Sequence, residues 1–170
     1  MKTLVLGGVR SGKSRYAETL ARQAAQPVTY IATATAQDDE MRRRIEAHRA
    51  RRPVEWTVVE EPLALADALR RHASGRFVIV DCLTLWLTNL LLAEDGRFEH
   101  ERVALLAALP SLASDVVFVS NETGMGIVPL GELSRRFSDE AGQLHQDLAQ
   151  CCERVVLMVA GLPLTLKGAA

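Results

Sequence analysis

The hydrophobic positions of this chain fall into short runs that are separated by longer segments with helical periodicity. Six runs are rich in Val and Ile and predict strands: Thr3–Leu6, Val28–Ala32, Trp56–Val59, Phe77–Val80, Val116–Val119 and Val155–Val159. Most of them lack alternation between apolar and polar residues, which is typical of strands covered on both faces. The pattern therefore favours a buried, mainly parallel sheet.

Most of the segments between these runs have the periodicity of helices. The predicted helices are Lys13–Ala25, Asp38–Arg51, Leu63–Ala73, a pair across Leu83–Leu112, and Leu133–Cys152. Such alternation of strand and helix indicates an α/β fold in which helices flank a mainly parallel sheet. We see no repeat, low-complexity tract or linker in the 170 residues, so we expect one domain, residues 1–170.

Composition and charge narrow the class of protein. The chain is 48% hydrophobic and 24% charged, which indicates a globular protein. Its 20 Lys and Arg residues balance 21 Asp and Glu residues, which argues against a dedicated nucleic-acid binder. The most apolar stretches, Leu83–Ala93 and Val155–Leu166, are too short or too interrupted to span a bilayer. The three cysteines, Cys82, Cys151 and Cys152, have no metal-binding spacing, so we expect reduced thiols in the cytoplasm.

The strongest chemical signal lies directly after the first predicted strand. Its residues are Gly7-Gly8-Val9-Arg10-Ser11-Gly12-Lys13-Ser14, which match the phosphate-loop pattern between a strand and a helix. The glycines allow backbone N–H groups to surround phosphate oxygens at the positive end of the helix. We therefore expect a nucleoside triphosphate here, with Lys13 acting catalytically on its β- and γ-phosphates and Ser14 facing Mg²⁺.

A carboxylate ends the apolar run Phe77–Val80, as in a Walker B element. Asp81 is expected at the carboxyl end of the sheet, near the phosphate loop, where it would hold Mg²⁺ directly or through water.

A helix rich in arginine carries the most unusual histidine. His48 follows Met41 and Ile45 at helical spacing, so it lies on the apolar stripe, and Arg44 and Arg51 flank it. From these residues alone a structural role for His48 is favoured. An imidazole among guanidinium groups would also suit attack on a phosphorus atom.

Together these features resemble the bifunctional adenosylcobinamide kinase/adenosylcobinamide-phosphate guanylyltransferase family of cobalamin biosynthesis, nearly from end to end. The resemblance is carried by the phosphate loop and by Tyr30–Thr33, Asp38–Met41, Arg44-Ile45 with His48, Arg52-Pro53, Trp56, Glu60, Asp81–Thr84, Thr88–Leu91 and Asn121–Pro129. His145 departs from it, since relatives often have Asn there.

The resemblance implies a fold, an assembly and two reactions. The fold would be a RecA-like P-loop NTPase domain, assembled as a homotrimer. The enzyme would phosphorylate adenosylcobinamide with GTP or ATP and Mg²⁺, then transfer GMP from GTP to adenosylcobinamide phosphate. In the family a histidine carries GMP covalently, and His48 occupies that position.

The resemblance also implies a set of nucleotide-binding residues. They are Gly7, Gly8, Val9, Arg10, Ser11, Gly12, Lys13, Ser14, Ala32, Thr33, Ala34, Arg49, Ala50, Arg51, Arg52, Glu60 and Asp81. We infer that the Glu60 carboxylate recognises guanine, because it can accept hydrogen bonds from N1–H and the exocyclic amine. We expect Asn121–Pro129 at the carboxyl edge of the sheet, with a role in substrate binding or subunit contact.

Two alternatives stay open at this point. The first is a monofunctional P-loop kinase for a small molecule, with His48 structural. The second is a nucleotide-gated switch protein that binds RNA through its arginine cluster. The net charge of -1 and the lack of aromatic residues among the arginines argue against RNA.

Overall fold

A computed structural model describes residues 1–35, 39, 42, 43, 46, 49, 52–93 and 96–169. The strands are β1 (Lys2–Gly7), β2 (Val28–Ala32), β3 (Thr57–Glu60), β4 (Phe77–Asp81), β5 (Val116–Val119), β6 (Arg154–Val159) and β7 (Leu162–Lys167). The helices are α1 (Lys13–Gln23), α2 (Leu65–His72), α3 (Leu83–Leu91), α4 (Arg97–Ala108) and α5 (Glu132–Cys151), with a 3-10 turn at Leu109–Ser111. None of the helices in this described part of the chain is long and apolar enough to cross a membrane.

The strands form one seven-stranded sheet with the order β3-β2-β4-β5-β1-β6-β7. All neighbours are parallel except β6 and β7, which pair antiparallel. The strand β5 lies between β1, which leads into the phosphate loop, and β4, which ends at Asp81. The predicted α/β class with a mainly parallel sheet is confirmed.

Successive residues of the central strands enter two different cores. Val78 and Val80 of β4 pack in one apolar cluster, which also contains Trp86 and Leu148 from the helices. Ile79 packs in a second cluster, together with residues of α1. Because both faces are covered, these strands have no polar face, which explains the missing alternation.

The edges of the sheet differ from the sequence prediction. The edge strand β3 is largely exposed, and the buried Trp56 precedes it instead of starting it. The opposite edge, β7, was not predicted. It follows β6 through a two-residue turn at Ala160 and Gly161, whose φ angles of 52° and 82° suit a hairpin of type I′. An Ala-Gly pair lacks the usual Asn-Gly signature of such a turn, and Pro163 also argued against a strand.

The predicted helix at Asp38–Arg51 falls mostly outside the described residues. Its described members, Asp39, Arg42, Arg43, Glu46 and Arg49, are helical.

Candidate functional site

The carboxyl ends of neighbouring strands bring most of the predicted site residues to one edge of the sheet. Ala32 at the end of β2 pairs with Glu60 of β3 on one side and with Asp81 of β4 on the other. Past β5, the Glu122 amide donates a 3.0 Å hydrogen bond to the carbonyl of Gly7 at the end of β1. The loop that contains Asn121–Pro129 therefore begins at this edge, as predicted.

The phosphate loop turns tightly between β1 and α1. Arg10 and Gly12 have φ angles of 57° and 100°, and the Ser11 amide donates to the Gly8 carbonyl at 3.3 Å. The Lys13 ammonium folds back onto the same carbonyl at 2.7 Å, and the residue as a whole is only 7% exposed. Burial lowers the pKa of Lys13, while the nearby Cys82 and Asp81 act in the opposite direction. The buried Lys13 ammonium and the N-terminus of α1 both favour an anion at this position, such as a phosphate group.

The turn of the β6–β7 hairpin supports this loop from the side. The Gly161 amide donates to the Ser11 carbonyl at 3.0 Å. A Cβ on Gly12 would lie 3.2 Å from the Cα of Gly161, so the two backbones are in close contact. Sequence reasoning missed this support because it missed β7.

Ser14 and Asp81 lie side by side, as their predicted metal role requires. The Ser14 hydroxyl donates to the Asp81 Oδ2 atom at 3.0 Å. Hydroxyl and carboxylate oxygens suit Mg²⁺, which binds proteins through one or two carboxylates and takes its other ligands from phosphates and water. The described part of the chain has no group of three or more His, Cys, Asp and Glu side chains that could hold a metal. The Ser14 hydroxyl and the Asp81 carboxylate fit a Mg²⁺ ion whose other ligands come from a nucleotide and water.

Thr33 joins the end of β2 to the segment that follows Asp81. Its hydroxyl donates to the Cys82 carbonyl at 2.7 Å and accepts from the Cys82 amide at 2.9 Å. Its own carbonyl accepts from the Asn89 amide group at 2.8 Å. Ala32 and Ala34, which flank Thr33, are half-buried.

Arg49, Arg52 and Glu60 form an outer group beside the β2 and β3 ends. Arg49 makes a short ion pair with Glu60, and both side chains are more than half exposed. The guanidinium carbon of Arg52 lies 3.6 Å from the centre of the Tyr30 ring. Glu60 is two strands from Asp81, which corresponds to about 10 Å at the usual strand spacing. His48, Ala50 and Arg51 lie outside the described residues, so their predicted roles stay predictions.

The buried His145 packs behind the loop after β5. Its Nε2 atom lies 2.8 Å from the Ser120 hydroxyl oxygen, and its Nδ1 atom lies 3.9 Å from a Glu122 carboxylate oxygen. Burial lowers the pKa of His145, and the Glu122 carboxylate opposes that shift.

Known proteins of one family match nearly the whole chain. A family model described as "Cobinamide kinase / cobinamide phosphate guanyltransferase" matches residues 3–166. The chain is 62% identical over 170 residues to the "Bifunctional adenosylcobalamin biosynthesis protein CobP" of Pseudomonas aeruginosa, covering 99% of this chain and 98% of the relative. It is 40% identical over 182 residues to the "Bifunctional adenosylcobalamin biosynthesis protein CobU" of Escherichia coli, covering 98% of this chain and 100% of the relative.

Two solved structures share the fold at low sequence identity. The RadB recombinase matches 92% of this chain and 73% of its own, with a TM-score of 0.50 and 16% identity. The P4 protein from bacteriophage phi6, solved in complex with ADP, matches 96% of this chain and 53% of its own, with a TM-score of 0.52 and 17% identity. The RecA-like P-loop fold expected from the sequence is confirmed.

The first prediction concerns Gly7. A Cβ at this position would lie 2.5 Å from the Met158 carbonyl oxygen and 2.6 Å from the Ser11 hydroxyl, at a φ of +150°. We expect Gly7→Ala to lower the free energy of unfolding by about 2–5 kcal/mol, since it adds backbone strain to overpacking. Urea unfolding without nucleotide measures this. Gly8→Ala is the matched control, because a Cβ there meets no atom within 4 Å. Equal stability of the two variants would contradict the described loop.

The second prediction concerns the buried His145. Because its folded-state pKa is depressed, the unfolded chain binds the proton more readily, so stability is lost as pH falls below the ordinary histidine pKa of about 6.5. His145→Asn removes this titration. We expect the variant to gain stability relative to wild type as pH falls from about 7.5 to 5.5, measured by urea unfolding. His100→Asn, at an exposed position, is the control. If the free energy of unfolding depends on pH in the same way for wild type and His145→Asn, the pKa of His145 is not depressed in the folded protein.

Proposed function

Because this chain belongs to the cobinamide kinase/cobinamide phosphate guanyltransferase family, we propose that the phosphate loop and Asp81 form the nucleotide site for both of the family's reactions. The chain is a bifunctional enzyme of adenosylcobalamin biosynthesis, both a kinase and a guanylyltransferase. The observation that carries the proposal is the contact of Ser14 with Asp81, beside the buried Lys13.

In the kinase step the hydroxyl of the aminopropanol group of adenosylcobinamide attacks the γ-phosphorus of a nucleoside triphosphate. A bond forms between that oxygen and the phosphorus, the bond to the β-γ bridging oxygen breaks, and the hydroxyl proton passes to water. Lys13 moves from the Gly8 carbonyl to the phosphates and neutralises the charge that develops there. The backbone N–H groups of the loop orient the same phosphates.

Ser14 and Asp81 would hold Mg²⁺ during this step. When bound, the ion supplies charge neutralisation on the phosphate oxygens. The Ser14 hydroxyl would leave Asp81 Oδ2 to bind the ion, and the Asp81 carboxylate would hold it directly or through water.

In the guanylyltransferase step we assign the nucleophile to His48. A neutral imidazole nitrogen forms a bond to the α-phosphorus of GTP, and pyrophosphate leaves. A phosphate oxygen of adenosylcobinamide phosphate then forms a bond to the same phosphorus, the bond to nitrogen breaks, and adenosylcobinamide-GDP is released. Arg49 and Arg52 would bind phosphate oxygens, and Glu60 would leave its ion pair with Arg49 to accept hydrogen bonds from guanine.

The monofunctional kinase is not favoured. The family model and the relatives at 62% and 40% identity are all described by two activities or as bifunctional. A purely structural His48 would leave the second activity without its covalent carrier.

We further propose that residues 1–170 act as one domain, as a homotrimer in the cytoplasm. The trimer is supported by exposed apolar side chains in the loop before α5, among them Ile127 and Leu130, which are both 97% exposed. Light scattering should then give about three times the 18.6 kDa chain mass. The cytoplasmic location is supported by Cys82, Cys151 and Cys152, which are all free thiols.

The test of the proposed function is a pair of variants assayed for both reactions. His48→Asn keeps a polar side chain of similar size but is a poor nucleophile. We expect it to lose GMP transfer by orders of magnitude and to retain most of the kinase rate. We expect Lys13→Ala to lose both rates, because one phosphate loop serves both steps.

Circular dichroism of both variants controls for folding. If His48→Asn transfers GMP at a near wild-type rate, His48 is structural. If Lys13→Ala keeps its kinase rate within a few-fold of wild type, the phosphate loop is not the site of that reaction.

A further inference from the structure

Tyr30 lies between the two parts of the candidate site. It is on β2, which separates β4 with Asp81 from the outer edge strand β3 with Glu60. In the strand register Tyr30 pairs with Ile79 and Ala32 pairs with Asp81, so the side chains of Tyr30 and Asp81 emerge on the same face. The Tyr30 side chain is 1% exposed.

The two ends of this buried side chain make different contacts. The hydroxyl donates a short hydrogen bond to Asp81 Oδ2, the same oxygen that accepts from Ser14. The face of the ring holds the Arg52 guanidinium at 3.6 Å, which is the geometry of a cation–π contact.

We infer that Tyr30 is a positioning residue that serves both parts of the nucleotide site. Its hydroxyl fixes the Asp81 carboxylate for Mg²⁺, and its ring fixes Arg52 for the nucleotide. Because Tyr30 is 1% exposed, it acts through these two partners and not by touching a ligand. The inference rests on the proposed nucleotide site at the phosphate loop.

The two contacts can be removed separately. Tyr30→Phe keeps the ring against Arg52 and deletes the donor to Asp81. Tyr30→Leu deletes both. Tyr16→Phe is the matched control, because Tyr16 is the other tyrosine of the chain and its hydroxyl has no hydrogen bond among the described residues.

The readout is the affinity for a fluorescent GTP analogue, measured once with Mg²⁺ and once with EDTA. For Tyr30→Phe we expect an unchanged affinity in EDTA and a Mg²⁺-dependent gain in affinity that is about tenfold smaller than in wild type. For Tyr30→Leu we expect the same loss and, in addition, a several-fold weaker affinity in EDTA. Tyr16→Phe should match wild type in both buffers.

A double-mutant cycle separates the Arg52 contact from general damage to the fold. In an Arg52→Ala background, Tyr30→Leu should weaken the EDTA affinity no further. If Tyr30→Leu unfolds below the assay temperature, Tyr30→Met replaces it, because the longer Met side chain fills more of the space left by the Tyr30 ring.

Three results would overturn the inference. The first is a Mg²⁺-dependent gain in Tyr30→Phe within twofold of wild type. The second is an equal affinity of Tyr30→Phe and Tyr30→Leu for the analogue in EDTA. The third is that Tyr30→Leu weakens the EDTA affinity as much in the Arg52→Ala background as it does in wild type. If the wild-type protein does not bind the analogue, the proposed nucleotide site itself is wrong. If wild type binds and one of these three results is found, only the inference about Tyr30 is wrong.

Discussion

The candidate site depends on the Asp81 carboxylate and on the two hydroxyl groups that hold it. Its Oδ2 atom accepts from Ser14 at the start of α1 and from Tyr30 in β2, so it joins three elements of the fold at one oxygen. A half-buried carboxylate without such donors would bear an uncompensated desolvation penalty. With them, its position next to Lys13 is set before any ligand arrives. That preorganisation is what makes a charged site effective in phosphoryl transfer.

The order of the strands explains why this arrangement can form. The strand β5 lies between β1 and β4, so the strand that leads into the phosphate loop and the strand that ends at Asp81 are two positions apart, and Ser14 at the start of α1 reaches Asp81. The β6–β7 hairpin supports the phosphate loop from the other side, through the hydrogen bond from Gly161 to Ser11. Lys13 is buried at the centre of this arrangement, whereas Arg49 and Glu60 of the outer group are more than half exposed.

Much of this could be predicted from the sequence, and the reasons are physical. The phosphate loop has a nearly unique residue pattern because backbone N–H groups must face a phosphate, and Asp81 ends a fully apolar strand. The hairpin at Leu162–Lys167 could not be predicted, because neither Ala-Gly nor an interior proline signals one. The roles of Tyr30 and Gly161 were missed for a different reason. Both depend on contacts between elements far apart in the chain, which periodicity does not reveal.

In the proposed mechanism one nucleotide site supports both phosphorylation and covalent GMP transfer. Incubation of the wild-type protein with Mg²⁺ and GTP labelled at the α-phosphate, followed by denaturation and chemical treatment of the protein, tests this. We expect a label that acid removes and alkali does not, as for a phosphorus–nitrogen bond to histidine. If the protein stays unlabelled while it phosphorylates adenosylcobinamide, GMP is not carried covalently and the proposed mechanism is wrong.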